Sequence, residues 1–342
     1  MVGAVNEPAV AALPAPVAIT REELDAALAI VRRWVPPTPA QRWPLLDLEA
    51  GSPVTVKHEN HTPVGAFKVR GGLVYLDRLV REQPDVRGVV SATRGNHGQS
   101  LAFAGRAHDR DVTIFVPHGN SREKNAAMRA LGAEVIEVGT DFQAAREAAA
   151  EYAEQHGLHL VPPFHRDLVL GVATYALELF DHAGRSAEPI DTVYVPVGMG
   201  SGINALIVVR DLLGLDTEIV GVVAEGADAT RRSFDAGAVV TTEAARTFVD
   251  GVATRSPDAA AIAGILAGAA RIIAVPDDAV AAAMRTVFRT THNVAESAGA
   301  IALAGLLSEA PERRGHAAFV LCGGNVDSDQ LASVLAGGTP AP

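Results

Sequence analysis

Cysteine is almost missing from this 342-residue chain, which carries one, Cys322. A single thiol excludes an internal disulfide framework and fits a reducing, cytoplasmic compartment. No apolar run reaches the length of a bilayer span, so no membrane partner is expected. Basic residues are in deficit. Lys and Arg number 29 against 40 Asp and Glu, a formal net charge of -11, which speaks against a nucleic-acid footprint. The N-terminus lacks the basic start of a secretory signal, and Glu7, Pro8, Pro14 and Pro16 interrupt its apolar stretch. Residues 1–19 are therefore expected to form a flexible tail. What remains has an ordinary globular balance, 48% hydrophobic and 20% charged, in a chain long enough to bury a large core without staples.

Thr20-Arg-Glu-Glu reads as a capping box that opens a helix ending before Pro36-Pro37. A loop from Pro36 to Pro44 leads to a strand at Val54, and a helix begins near Ala66 with Val69, Leu73 and Leu76 on one face. From Val86 the pattern turns regular. Strands are expected at 86–91, 112–116, 134–138 and 159–161, with helices at 98–110, 121–132 and 141–155 between them. The alternation resumes with strands at 192–197, 218–223 and 317–321 and helices at 202–213, 280–292 and 297–307. Such alternation builds βαβ units and parallel sheets.

Four segments carry chemistry. Lys68, between Phe67 and Val69, opens a helix, where dipole and desolvation both disfavour its charge and free an amine for imine chemistry. A solvated lysine starting an amphipathic helix has the same local pattern. Ser91-Ala-Thr-Arg-Gly-Asn-His-Gly-Gln lies between a strand and a helix and offers N–H groups, hydroxyls and an amide to an anion, most naturally a carboxylate. Val195-Pro-Val-Gly-Met-Gly-Ser-Gly repeats the strand, glycine turn and helix, so that successive N–H groups can surround a phosphate. It lacks the Lys-Ser/Thr closure of a P-loop. Cys322 ends a strand before two glycines with no cationic neighbour in sequence, which disfavours a nucleophilic role. Each segment alone also fits a ligand-free turn or a buried structural thiol.

In this order the four segments resemble the fold-type II pyridoxal-phosphate enzymes, in particular the serine/threonine dehydratase branch that also contains serine racemase. The resemblance covers about Val54 to Asp327, and Phe67-Lys-Val-Arg-Gly matches the dehydratase form of the cofactor-lysine motif. It implies a tryptophan synthase β-like α/β fold of two domains, each with a mainly parallel sheet flanked by helices. The large domain would take residues 20–87 and 166–342, and the small domain 88–165. It implies pyridoxal 5′-phosphate joined to Lys68 as an imine, with Phe67 beside it and Asn96 on the ring 3′-oxygen. Gly198, Met199, Gly200, Ser201 and Gly202 would bind the phosphate, and Cys322 would face the ring nitrogen. Thr93, Asn96 and His97 would hold the substrate carboxylate, and Arg94 is a candidate for a second substrate anion or for a structural tie. The partner is a small amino acid, and the chain is expected to form a homodimer.

The implied reaction is β-elimination from a β-hydroxy amino acid, giving a 2-oxo acid and ammonia, with Lys68 as the general base at Cα. A neutral thiol at Cys322 is a weak donor to the ring nitrogen and favours loss of the β-substituent. β-Replacement with an added nucleophile stays open, as do threonine, serine, phenylserine and 3-hydroxyaspartate as substrates. So does a cofactor-binding protein without turnover. Three departures from the family pattern matter. Arg94 stands where racemases of the group place an acid/base serine, and a guanidinium is no proton shuttle, so racemase activity is not expected. Val223 and Ala229 stand at the two main carboxylate positions of the group's cation site, with Glu225 and Asp228 out of register, so no metal is expected. Too few residues follow Leu321 for an appended regulatory domain.

Overall fold

The computed structural model describes residues 12–140, 142–186 and 189–342. Two sheets organise the chain. The first runs β1 (Ala40–Arg42), β2 (Val54–His58), β10 (Ala317–Leu321), β7 (Thr192–Pro196), β8 (Glu218–Ala224) and β9 (Arg271–Val275) in spatial order. The second runs β5 (Glu134–Glu137), β4 (Asp111–Val116), β3 (Gly88–Ala92) and β6 (His159–Leu160). Every described pairing is parallel except β1 with β2. The parallel strands β2, β3 and β7 are short, valine-rich and buried on both faces, as helices on either side of a sheet require. This is the α/β fold with helix-flanked parallel sheets that the sequence implies.

Strand order places the chemistry. β10 lies between β2 and β7, with Leu321 opposite His58 and Ala317 opposite Thr192. The turns that leave the carboxyl ends of β7 and β10 therefore emerge side by side, where α/β sheets bind ligands. The turn after β3 in the second sheet meets them across a cleft.

Several segments differ from the sequence reading. The stretch read as a loop from Pro36 to Pro44 contains the edge strand β1, and Pro44 opens a helix, Pro44–Ala50, at the position where its missing N–H costs nothing. β9 and the long helix Arg166–Ser186 were not expected. That helix packs against the helices Lys68–Glu82 and Ser201–Leu213 and is buried through most of its length. The helix Phe142–His156 starts beside Asp141, which lies outside the described residues. The capping box is formed: Thr20 Oγ1 accepts from Glu23 N at 3.2 Å, and Glu23 Oε2 accepts from Thr20 N at 2.9 Å. Of the stretch read as a flexible tail, residues 1–11 lie outside the described residues, while Leu13, Val17 and Ile19 pack against the core and the Arg166 guanidinium donates to Ala18 O. Among the described residues no helix is long and apolar enough to cross a membrane.

Candidate active site

Lys68 is placed by a short staple. Phe67 N–H donates to Cys322 O at 2.9 Å, and Ala66 bridges to Gly323, so the segment before the lysine pairs with the turn leaving β10. Thr62 Oγ1 closes the loop between, accepting from Ala66 N–H and donating to Ala66 O. Lys68 then opens its helix, with Ser100 Oγ donating to its carbonyl at 2.6 Å. Its Nζ stands 4.7 Å from the centroid of the Phe67 ring. Burial pushes the Lys68 ammonium below its ordinary range, while the neighbouring Cys322 and Glu296 pull it back up. The helix dipole adds to the downward push. The result is an amine that gives up its proton more readily than an exposed lysine does.

The floor of Lys68 is a buried charge network. Arg70 in the same motif is fully buried and donates from Nε and Nη2 to Glu59 and from Nη1 and Nη2 to Glu178, at 2.8 to 3.0 Å. Lys57 Nζ reaches Glu178 at 2.6 Å, and Arg32 reaches it at 2.7 Å. These contacts anchor the Lys68 helix to β2 and to the helix Arg166–Ser186.

Across the cavity lies the glycine turn after β7. Gly198 lies so close to Gly251 that a Cβ would come within 2.3 Å of the Gly251 carbonyl oxygen. Gly200 holds φ +96°, a left-handed conformation that only glycine adopts readily. Asn204 Nδ2 donates to Gly200 O at 2.9 Å, which holds that carbonyl away from the cleft. The helix Ser201–Leu213 begins here, so the N–H groups of its first turn have no intrahelical acceptor and point at the cavity. The arrangement is an anion cradle. A cleft joins Lys68 to this cradle, and Asn96, Tyr175, Glu296 and Cys322 also line it.

Asn96 opens the helix Asn96–Ala107 from the other sheet. Its Oδ1 accepts from Asn325 Nδ2 at 2.9 Å, and its Nδ2 donates to Glu296 Oε1 at 2.5 Å. These two partners fix which way the amide faces and leave its second N–H for a ligand oxygen. Glu296 Oε2 also meets Lys124 Nζ at 3.4 Å. Burial pushes the Lys124 ammonium down, but Glu296, Asp250 and Asp327 leave it raised overall, so it stays charged. Sequence reasoning missed Glu296, Lys124 and Tyr175, because none lies in a glycine turn or beside the lysine motif, and it gave no role to Asn325, which follows Gly323-Gly324.

Cys322 is buried, and its Sγ donates to Ala298 O at 3.3 Å. Burial, reinforced by Glu296, pushes the thiol far above its ordinary range. It is a neutral thiol, with its proton held by a backbone carbonyl.

Thr93, Arg94 and His97 belong to the turn after β3 but do not line the cavity. Thr93 Oγ1 accepts from Gly95 N–H at 3.1 Å and shapes the turn. Arg94 points along the rim, with Nη1 3.5 Å from Asp250 Oδ1, both half-exposed. His97 is held neutral, its pKa lowered to about 3 by burial and by the Lys68 charge. Asp228 pairs with Arg231 and Arg232. Among the described residues no group of three or more His, Cys, Asp or Glu is placed to hold a metal ion.

A buried amine, an anion cradle facing it across a cavity, a fixed amide and a neutral thiol form the donor set that pyridoxal phosphate needs. At Gly198, Gly200 and Gly202 a Cβ would meet Gly251, Ala261 and Tyr175, so glycine lets the turn pack against its neighbours while it lines the cavity that a phosphate would enter. The sequence model of the pyridoxal-phosphate dependent enzymes matches residues 31–323, and the chain belongs to that family. Within it, the chain is a fold-type II enzyme of the threonine/serine dehydratase branch. It is 33% identical over 301 residues to the biosynthetic L-threonine dehydratase of Salmonella typhimurium, covering 87% of this chain and 58% of that protein. The chain thus spans little more than half the length of that curated relative. It is 32% identical over 294 residues to the L-threo-3-hydroxyaspartate ammonia-lyase of a Pseudomonas species, covering 85% of this chain and 91% of the relative. Among solved structures it superposes on the threonine deaminase of T.th. with a TM-score of 0.84 at 31% identity, covering 90% of this chain and 99% of that one.

Proposed function

We propose that this chain removes the β-hydroxyl and the amino group of a β-hydroxy amino acid such as threonine or serine, releasing a 2-oxo acid and ammonia. The observation that carries this reading is the pairing of Lys68 with Cys322. Burial frees the amine of Lys68, and the thiol of Cys322 is neutral and committed to Ala298 O. Pyridoxal phosphate, held by Lys68, Asn96 and the 198–202 cradle, supplies the electron sink for carbanion chemistry at Cα.

The residues of the chain do the rest. The N–H groups at the start of the helix Asn96–Ala107, with the turn that Thr93 shapes, hold the substrate carboxylate. Lys68 Nζ takes the Cα proton as general base, a role worth about 10²–10⁴ in rate. A neutral Cys322 does not protonate a ring nitrogen strongly, which favours loss of the β-substituent over a long-lived carbanion. Arg94, turned to the rim and paired with Asp250, leaves Lys68 as the acid/base group at Cα.

The reading includes a homodimer in the cytoplasm. Leu45, Leu48, Phe288 and Leu335, exposed on three helices that pack side by side, support self-association, and the single thiol supports a reducing compartment. Threonine, serine, phenylserine and 3-hydroxyaspartate, each in both configurations, test the activity. Keto acid and ammonia released in equal amounts without a second substrate is the expected outcome. Product formed only with an added nucleophile would replace elimination with β-replacement.

A further inference from the structure

The helix Arg166–Ser186 touches both attachment points of the cofactor. Gly171, Thr174, Tyr175 and Glu178 lie on one face of it, at the spacing of neighbouring turns. Three of them brace the Lys68 helix. Gly171 lies against Arg70, where a Cβ would come within 2.2 Å of the Arg70 carbonyl oxygen. Thr174 Oγ1 accepts from Arg70 Nη1 at 3.1 Å, and Glu178 takes the ion pair. The fourth reaches the other end of the cavity. Tyr175, 1% exposed, donates its hydroxyl to Gly202 O at 3.2 Å. Its ring meets the Phe67 ring edge-on, with centroids 6.1 Å apart. Gly202 is packed so that a Cβ would stand 3.2 Å from Tyr175 Oη and 3.9 Å from the Phe67 ring.

From this juxtaposition we propose that Tyr175 is a positioning residue for the cofactor phosphate, setting the distance between the cradle and Lys68. A ligand joined covalently at one end and held as an anion at the other fits only one spacing. The two ends sit on different helices, Lys68–Glu82 and Ser201–Leu213, and the helix Arg166–Ser186 packs against both. On the cradle side, the hydrogen bond that this face contributes is the one from the Tyr175 hydroxyl to the Gly202 carbonyl. Loss of the hydroxyl leaves that carbonyl one partner short in a dry site and frees the first turn of the cradle helix to shift.

The test uses the full chain, stripped of cofactor and titrated with pyridoxal phosphate. Tyr175→Phe keeps the ring contact with Phe67 and removes only the hydroxyl. The expected result is a Kd for pyridoxal phosphate raised about tenfold, a displaced ³¹P resonance of the bound phosphate, and an unchanged visible absorbance of the Lys68 imine. Gly202→Ala presses a methyl against the same hydroxyl, should shift the Kd and the ³¹P resonance in the same direction, and reads the contact even if the first variant does not fold. Added to Tyr175→Phe, it should cost less than it costs alone. A Kd within twofold of the parent with an unmoved ³¹P resonance in Tyr175→Phe, or full additivity of the two changes, would overturn the proposal. A parent chain that binds pyridoxal phosphate but releases no keto acid counts against the proposed reaction and leaves the role of Tyr175 standing.

Discussion

Glu296 accepts the side-chain N–H of Asn96 at 2.5 Å and the Lys124 ammonium at 3.4 Å, joining the second sheet to the first across the cleft. Its negative charge also holds the Lys68 amine above where burial alone would put it. Glu296→Gln keeps an acceptor for Asn96 and removes the charge. The Lys68 amine, once substrate has displaced it, should then lose its proton at lower pH, and the acidic limb of the kcat profile should move to lower pH. Glu296→Ala should in addition weaken cofactor binding, because Asn96 loses the partner that orients its amide. Rate profiles and cofactor titrations of the two variants separate charge from orientation, and an unmoved acidic limb in Glu296→Gln would count against the charge effect.

Lys68→Ala should lower kcat by about 10²–10⁴ or more, the contribution of a positioned general base. It should also keep no covalently bound cofactor after borohydride reduction and dialysis. Mass spectrometry of the reduced parent and variant checks this directly, since only the parent should gain the mass of the cofactor.

Arg70→Leu leaves Glu59 and Glu178 facing each other in a buried site with Lys57 and Arg32. Breaking a buried ion network by removing one partner costs about 3–5 kcal/mol. Urea unfolding of the cofactor-free chain should show a midpoint lowered accordingly. A loss below about 1 kcal/mol would mean that this network does not anchor the Lys68 helix.

Stability should fall on mild acidification through His58. Its Nε2 accepts from the indole N–H of Trp43 at 3.0 Å, which requires the neutral ring, and burial, with the His61 charge, lowers its pKa from 6.5 to about 4. The unfolded chain binds the proton first. The stabilisation is therefore complete above pH 6.5, is lost as pH falls from 6.5 to 4, and changes no further below that. The loss across the window is about 3 kcal/mol. Unfolding free energies at pH 7 and pH 4 measure it, and His58→Gln, which keeps an acceptor without titrating, should flatten the slope.

Arg94→Ala removes a half-exposed ion pair with Asp250, and such pairs contribute at most about 1 kcal/mol. Elimination should remain within a few-fold of the parent, and chiral analysis of unreacted substrate should show no racemisation in the parent. A large loss confined to 3-hydroxyaspartate would instead show Arg94 turning towards a second substrate carboxylate.

The glycine turn at 198–202, the lysine motif and the turn at 93–97 were legible in the sequence because each is a local device. A turn followed by a helix start presents N–H groups whatever the rest of the chain does. The strand and helix alternation was legible for the same reason. β1 was not, because three residues at a sheet edge carry no period. The helix Arg166–Ser186 was not read either, although its apolar residues recur at a helical period.

The sequence by itself determined that a lysine, a glycine turn and a polar turn would each stand at the end of a strand or the start of a helix, since backbone geometry over a few residues dictates that. Only the tertiary structure decided what each of them touches. Strand order set Cys322 beside the glycine turn. Chain crossings 200 residues long brought Glu296 to Asn96, and the packing of one long helix carried Tyr175 to Gly202. The charge of Lys68, the neutrality of Cys322 and the orientation of Asn96 follow from burial and from partners distant in the chain, which no local pattern encodes.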